Sequence, residues 1–363
     1  MTDERDLAAL SSGVPAETGA LDEAVERAVA REGRRHVGLV VGAVTADGAR
    51  SVATAGRLRA PDGPSPQADS VFEIGSVTKV FTALLLAEAV TRGELSLETP
   101  VGDLLPEVTV PTRDGVAITV EHLATHTSGL PRLPMSLPTA LASQWKHRDG
   151  DPWETFDRAG LLAALESTTL RRTPGTGPVA YSNLGAGVLG HALVAAAGAT
   201  DYAELVRSRV CGPLGMTDTV LLPDTEQAAR EAAGHRGRRR PTGHWEVAGL
   251  PGAGALRSTA TDMLTFLHAQ LRPEDTPLAP AIALTHPERR PGRRLGIGLG
   301  WLRVPLPGGH VALWHNGGTG GFRALAGFVP EAGVGVVALA NDVRSVDRVG
   351  MELLSALSGR VSR

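Results

Sequence analysis

A lysine follows a serine by three residues in "FEIGSVTKVFTALLLAEAV" (72–90), at the mouth of an apolar run. The chain holds only two lysines, Lys79 and Lys146, among its 36 basic residues. On a helix, residues three apart share a face, with Cβ atoms about 5–6 Å apart, so Ser76 and Lys79 point the same way. A serine hydroxyl is a poor nucleophile until a base takes its proton. A buried amine of lowered pKa does this, whereas a guanidinium stays protonated and cannot. A chain that otherwise uses arginine therefore keeps lysine where a titratable amine is needed. Gly75 suits a tight entry to the helix, and the helix dipole favours negative charge developing at its start. The same spacing recurs in "SQWK" as Ser143 and Lys146, but in a polar, Pro-flanked stretch expected to face water. Ser76 is the stronger candidate.

Acyl transfer also needs a proton shuttle to the leaving group and donors for the oxyanion. "VAYSNLGAGVLGHALV" carries one of the chain's two tyrosines, Tyr181, with Asn183 two residues on, at the entry to an apolar helix. A phenol beside a lysine ammonium shifts toward phenolate and can act as base. "WHNGGTGGF" (314–322) ends a strand-like run in a glycine-rich turn where backbone can approach a substrate closely. The backbone N–H groups of Ser76 and Gly318 are the expected oxyanion hole.

These pieces need elements to bring them together. Residues 1–20 read as a polar tail, and "LDEAVERAVAREG" (21–33) as an amphipathic helix. Two β-rich runs flank Ala46-Asp47-Gly48, a hairpin signal. From about 100 to 245, Pro and Gly punctuate short helical patterns, with "LVRSRVCGPLGM" and "RGRRRPTGHW" read as loops. Past 245, "ATDMLTFLHAQL" is a helix, "IGLGWLRVPL", "HVALWHN", "FRALAGFVP" and "VGVVALAN" are four strands, and "VDRVGMELLSALSG" is a closing helix. The reading is an α/β (α+β) fold: an antiparallel sheet flanked by helices, built from 21–70 and 245–363, interrupted by a mostly helical domain over 71–244.

The 363 residues are 42% hydrophobic and 21% charged, ordinary for a globular protein with a substantial core. A net charge of −3 gives no global field for nucleic acid or an anionic membrane surface. The single cysteine, Cys211, excludes an internal disulfide and is expected to be buried packing. "MTDERDLAALSSGVPAE" lacks the basic and apolar regions of a secretory signal, so a cytoplasmic location is expected. No apolar run of about 18 residues spans a membrane.

Together the three motifs resemble the serine β-lactamase and penicillin-binding protein superfamily, whose nucleophile motif is Ser-x-x-Lys. The set is Ser76-Val77-Thr78-Lys79, then Tyr181-Ser182-Asn183, then His315-Asn316-Gly317, with similarity over about 21–358, including "LATHTSGLP" (123–131) and "GALRSTATDMLTFL" (254–267) as structural stretches. The Tyr-x-Asn form resembles the class C β-lactamase, D-Ala-D-Ala carboxypeptidase and β-lactamase-like esterase branch. That resemblance implies a β-lactamase/transpeptidase-like fold with the site between the α/β domain and the helical insertion. It implies that Ser76 attacks the acyl carbon, that Lys79 and Tyr181 share the general-base work, and that Tyr181 protonates the leaving group. Asn183 would hold Lys79 and the substrate amide. His315, Asn316 and Gly317 would line the substrate site, with His315 and Asn316 replacing the Lys and Thr of the usual Lys-Thr-Gly strand.

A mostly neutral histidine there, together with the expected compartment, argues for an acyl-enzyme acting on a small ester or amide rather than a strong β-lactamase. The acceptor is water, an alcohol or an amine. A natural-product transacylase, a D-Ala-D-Ala carboxypeptidase, a weak β-lactamase and a non-enzymatic penicillin-binding-like scaffold are the alternatives. No Gly-x-Ser-x-Gly elbow supports an α/β-hydrolase. No cofactor or metal is expected; His122 and His126 in "EHLATH" stand at i, i+4 but lack the glutamate of a zinc-protease motif. The run "RGRRR" (236–240) is read as a solvated loop.

Overall fold

The computed structural model describes residues 16–134, 150–236, 240–292 and 295–361. At its centre is a seven-stranded, wholly antiparallel sheet. Its strands are β1 (Gly38–Thr45), β2 (Arg50–Gly56), β3 (Gly296–Ile297), β4 (Leu302–Pro305), β5 (Val311–Gly318), β6 (Arg323–Val329) and β7 (Val334–Ala340). Their order is β2-β1-β7-β6-β5-β4-β3. Thus β1, from the start of the chain, pairs with β7, from its end, with Leu39 opposite Ala340 and Thr45 opposite Val334.

Both faces of this sheet are covered, and the strands alternate between two cores. Leu39, Val41 and Ala43 of β1 pack with Val336 and Ala338 of β7 beneath α1 (Ala16–Glu32) and the C-terminal helix Asp347–Val361, through Val25, Leu353 and Leu357. Val40 and Val44 face the other way, with Val337 and Leu339, into the larger core that holds helix Ala260–Leu271. There Phe266 stacks on Phe81 at 4.2 Å between ring centres and also packs against Trp301. Phe81 belongs to α2 (Thr78–Thr91), which is buried along almost its whole length. A mostly apolar helix buried on all sides has no solvent face to show, and it forms the central post of the helical side.

The hairpin at Ala46-Asp47-Gly48 forms as read, with Gly48 at φ +91 and the Thr45 amide donating to Ala49 O. Elsewhere the structure differs from the sequence reading. Helix α1 begins at Ala16, inside the stretch read as tail. "IGLGWLRVPL" is two strands, β3 and β4, reversed by a turn in which Gly300 takes φ +72 against Ala83 and the Lys79 carbonyl. "LVRSRVCGPLGM" is helical rather than loop: helix Tyr202–Val206 widens into a π-helical turn, Arg207–Cys211, and ends at Gly215 with φ +70. Its apolar residues Leu205, Val206, Val210 and Cys211 are all buried, and that packing outweighs the local turn signal. In "RGRRRPTGHW", Gly234–Arg236 pairs with Arg240–Thr242 as a small hairpin whose turn lies outside the described residues. Between 71–244 and the rest, Phe72–Glu73 pairs with Arg257–Ser258, and one apolar core runs from Val40 through Phe81 to Leu189.

Candidate active site

Ser76 sits in a short 3-10 turn, Gly75–Val77, that leads directly into α2. The chain enters this turn from Ile74, whose amide donates to Leu256 O at 3.0 Å, so the short strand pair anchors the turn from below. The end of β5 closes it from the side, at van der Waals limit. A Cβ on Gly317 would lie 1.9 Å from Ile74 O and 3.0 Å from the Ser76 amide nitrogen. A Cβ on Gly75, whose φ is +50, would lie 2.6 Å from the Gly318 nitrogen. Only glycine allows both approaches, and they bring the amides of Ser76 and Gly318 to one place beside the serine hydroxyl. Gly317→Ala is therefore expected to push β5 away from the turn. Acylation should fall by about 100-fold, the scale of an ångström-sized misplacement; single-turnover labelling alongside a melting curve checks this, and an unchanged rate would dismiss the close approach as unimportant.

Lys79 is buried at one turn's distance. Its Nζ lies 3.2 Å from Ser76 Oγ, 2.9 Å from Asn183 Oδ1 and 2.6 Å from Ala253 O. Burial, with the Arg132 charge adding to it, lowers its pKa well below the usual lysine range. A neutral amine has two N–H donors and one lone pair. The two carbonyl-type oxygens take the donors, and the lone pair is left for the serine proton. Ala253 O is a backbone group on the short helix Pro251–Gly254, so no side chain in the sequence announces it.

Tyr181 and Asn183 flank Ser182, which caps the helix Asn183–Ala197. Its Oγ accepts from Gly185 N at 2.9 Å and donates to Pro131 O at 2.6 Å. The middle residue of Tyr-Ser-Asn is thus structural, and it fixes the two outer side chains toward Lys79. The stretch 123–131 braces the same loop: His126 O accepts from Ala180 N at 2.9 Å, and the His126 ring packs on Tyr181 with centres 4.5 Å apart. Lys79 Nζ lies 4.9 Å from the Tyr181 ring centre and Arg132 Cζ 5.3 Å. The phenol reaches the Ser76 side chain by a hydrogen bond, yet burial pushes its pKa up to about 12. The expectation of a phenolate at Tyr181 is thus not met. Desolvation of the anion outweighs the Ser76 hydrogen bond and the Arg132 charge, and the resting proton sits on the phenol.

His315 departs furthest from its expected place. It is buried behind Tyr181, 6.1 Å between ring centres, and it does not line the cleft. Its Nδ1 is 2.6 Å from Asn316 O, and its Nε2 is buried without a partner among the described residues. Burial and then Lys79 lower its pKa to about 3, so it is neutral. Asn316, on the opposite face of β5, and Gly317, which has no side chain, form the rim instead. Asn316 Nδ2 donates to Asp347 Oδ2 at 2.8 Å.

The structure therefore gathers Ser76, Lys79, Tyr181 and Asn183 with the β5 rim around one cleft of about 690 Å³. Sequence reading missed Arg132, Arg236, Trp245, Arg323 and Asp347, which also line it. Ser143 and Lys146 lie outside the described residues, as do 237–239 of the basic run. His122 and His126 do not converge. His122 caps its own helix by accepting from Thr119 N, and His126 Nδ1 accepts from Ser182 N. No group of three metal-ligating side chains occurs among the described residues. Cys211 is buried, with its thiol pushed up to about 12 by desolvation. No single described helix is long and apolar enough to cross a membrane.

Comparison with known proteins gives the same picture. A family profile described as Beta-lactamase matches residues 21–359. The chain is 31% identical over 295 residues to the D-alanyl-D-alanine-carboxypeptidase/endopeptidase AmpH of Escherichia coli (strain K12), covering 77% of this chain and 73% of that protein. It is 27% identical over 306 residues to a beta-lactamase of Pseudomonas fluorescens, covering 75% of this chain and 80% of that one. Among solved structures, a D-alanine carboxypeptidase AmpC from Burkholderia cenocepacia superposes with a TM-score of 0.78 at 27% identity, over 94% of this chain and 99% of that chain. A class C beta-lactamase superposes with a TM-score of 0.81 at 21% identity, over 96% of this chain and 98% of that chain, a likeness of fold.

Proposed function

Because the chain belongs to the beta-lactamase family, we propose that it is a serine acyl hydrolase in which Ser76 forms an acyl-enzyme with a small ester or amide, and Lys79 and Tyr181 divide the proton transfers. The observation that carries this reading is the placement of Lys79 Nζ within hydrogen-bond distance of three oxygens: Asn183 Oδ1 and Ala253 O, which accept from it, and Ser76 Oγ, its partner in the proton transfer proposed here.

The step runs as follows. Lys79 Nζ takes the Ser76 proton while Ser76 Oγ bonds to the acyl carbon. The carbonyl oxygen, now negative, is held by the amides of Ser76 and Gly318, and losing one such donor typically costs about 2.7–4 kcal/mol. The bond to the leaving group breaks, and the leaving atom takes the Tyr181 phenol proton. The tyrosinate recovers a proton from the lysine ammonium beneath its ring. Water then attacks the acyl-enzyme by the same route in reverse. Asn183 holds Lys79 and presents its amide to the substrate. Asn316 and Gly317 shape the rim, and His315 backs the phenol as a neutral wall.

A fluorophosphonate probe followed by peptide mass mapping tests the reading. The adduct is expected on Ser76, and labelling elsewhere, or none, would refute it. Tyr181→Phe keeps the ring packed on His126 and removes only the hydroxyl. It should slow acylation by about 10²–10⁴-fold, the usual range for a general acid–base group, with the melting temperature unchanged. Wild-type rates in that variant would take the phenol out of the mechanism.

A further inference from the structure

The cleft around Ser76 has two arms of different character. One, of about 220 Å³, is entered past Ser76 and walled by Leu133, Trp153, Val247 and Leu250, with Arg132 at the border it shares with the other arm and no carboxylate. The other, of about 690 Å³, alone contains Tyr181, and its walls carry Arg132, Arg236 and Arg323 against one carboxylate, Asp347. Three guanidiniums against one carboxylate leave this lining with an excess of two positive charges.

The charges are also arranged for use. Arg323 Nη1 donates to Thr319 O at 3.0 Å and Phe322 O at 2.7 Å, which braces the guanidinium across the turn between β5 and β6. Arg236, on the small hairpin, is close enough for its charge to act on Arg323. Neither makes an ion pair with a carboxylate among the described residues, and Asp347 is engaged by Asn316. Asp342 and Asp347 act on Arg323 only from beyond ion-pair distance, and holding two half-buried guanidiniums near each other with no carboxylate in contact is costly for folding alone. The cost is recovered when an anion binds between them, and a planar guanidinium suits phosphate and carboxylate oxygens alike.

We propose that the substrate joins an apolar acyl group, seated in the small arm, to a leaving group that ends in a compact dianion, a phosphomonoester or paired carboxylates, held by Arg236 and Arg323. The direction follows from Tyr181: of the two arms, the arginine arm is the one this proton donor lines. This inference rests on the acyl-enzyme reading above and adds the substrate's polarity to it.

Four butyrate esters test it at constant ionic strength: phenyl, para-carboxyphenyl, dicarboxyphenyl and para-phosphonooxyphenyl butyrate, each corrected for its hydroxide-catalysed rate. The kcat/KM of the better dianion should exceed that of phenyl butyrate by about 100-fold, with the single carboxylate between them; the dicarboxyphenyl and phosphonooxyphenyl esters tell the two anion chemistries apart. Arg323→Gln and Arg236→Gln should each lower the dianion-to-neutral ratio by about tenfold, and Arg323→Lys should restore part of it. Inorganic phosphate should slow fluorophosphonate labelling of the wild type more than of Arg236→Gln, a readout that stands even where an Arg323 variant folds poorly. Acylation by phenyl butyrate with no preference for a dianion, or a preference that survives both substitutions, overturns this proposal and leaves the acyl-enzyme reading intact. Failure of every ester and of the probe to acylate Ser76 overturns both.

Discussion

Replacing Ser76 by alanine is expected to erase covalent labelling and to lower the turnover of any ester by about 10⁴-fold or more, as loss of the nucleophile does in a concerted serine site. The substitution removes one partly exposed oxygen and leaves the turn and its glycine contacts in place, so folding should be unaffected. Lys79 keeps its two carbonyl-type partners. The companion Ser143→Ala, at the other Ser-x-x-Lys, should label like wild type. If Ser143→Ala abolished the adduct and Ser76→Ala did not, the site described above would be the wrong one. Intact-mass spectrometry after exposure to a fluorophosphonate or a fluorescent penicillin reads both outcomes directly.

Lys79→Arg is the second large effect, although it keeps a basic side chain. The pocket fits one nitrogen between three oxygens at 2.6 to 3.2 Å, and a guanidinium has neither the size nor a free lone pair to replace it. Acylation should fall by at least about 10³-fold, within the range for a lost general base. Wild-type acylation should also weaken as the pH is lowered through the Lys79 pKa, because the ammonium has no lone pair; Tyr181, at about 12, adds no limb in the accessible range.

Stability carries the same signature with a definite sign. The Lys79 pKa is lowered in the folded state, so between that value and the unfolded value near 10.5 the unfolded chain binds more protons. Wild-type stability relative to Lys79→Met should therefore rise with pH across this window and level off above it. A difference in melting temperature that is flat with pH would show that the lysine is charged when folded.

The Ser76–Lys79 pair was legible in the sequence because the chemistry proposed for it restricts the residue type: arginine could not serve at 79. Tyr181 and Asn183 were legible as a short motif at a helix entry, and the strand runs from 296 to 340 by their apolar β-rich pattern. What escaped depended on distance in the chain. Ala253 O and the Arg236–Arg323 neighbourhood are set by tertiary packing and leave no local signal. His315 was placed in the cleft by resemblance, whereas in the fold it is sealed behind Tyr181. The helix at 202–214 hid behind its Gly and Pro, since only its buried partners reveal that those residues end a helix and do not begin a loop.

The pairing of β1 with β7 governs how the molecule comes into being. As the polypeptide leaves the ribosome, the serine emerges early, but β1 must wait for a partner that is made almost last. Closing so long a loop is slow, and until it closes the early strands expose an unpaired edge to other chains. The glycine rim at 317–318 is completed in that same late event. Newly made protein is thus inert until nearly all of it exists, and deleting β7 with the helix that follows should yield an aggregating, probe-silent product rather than a weakened enzyme.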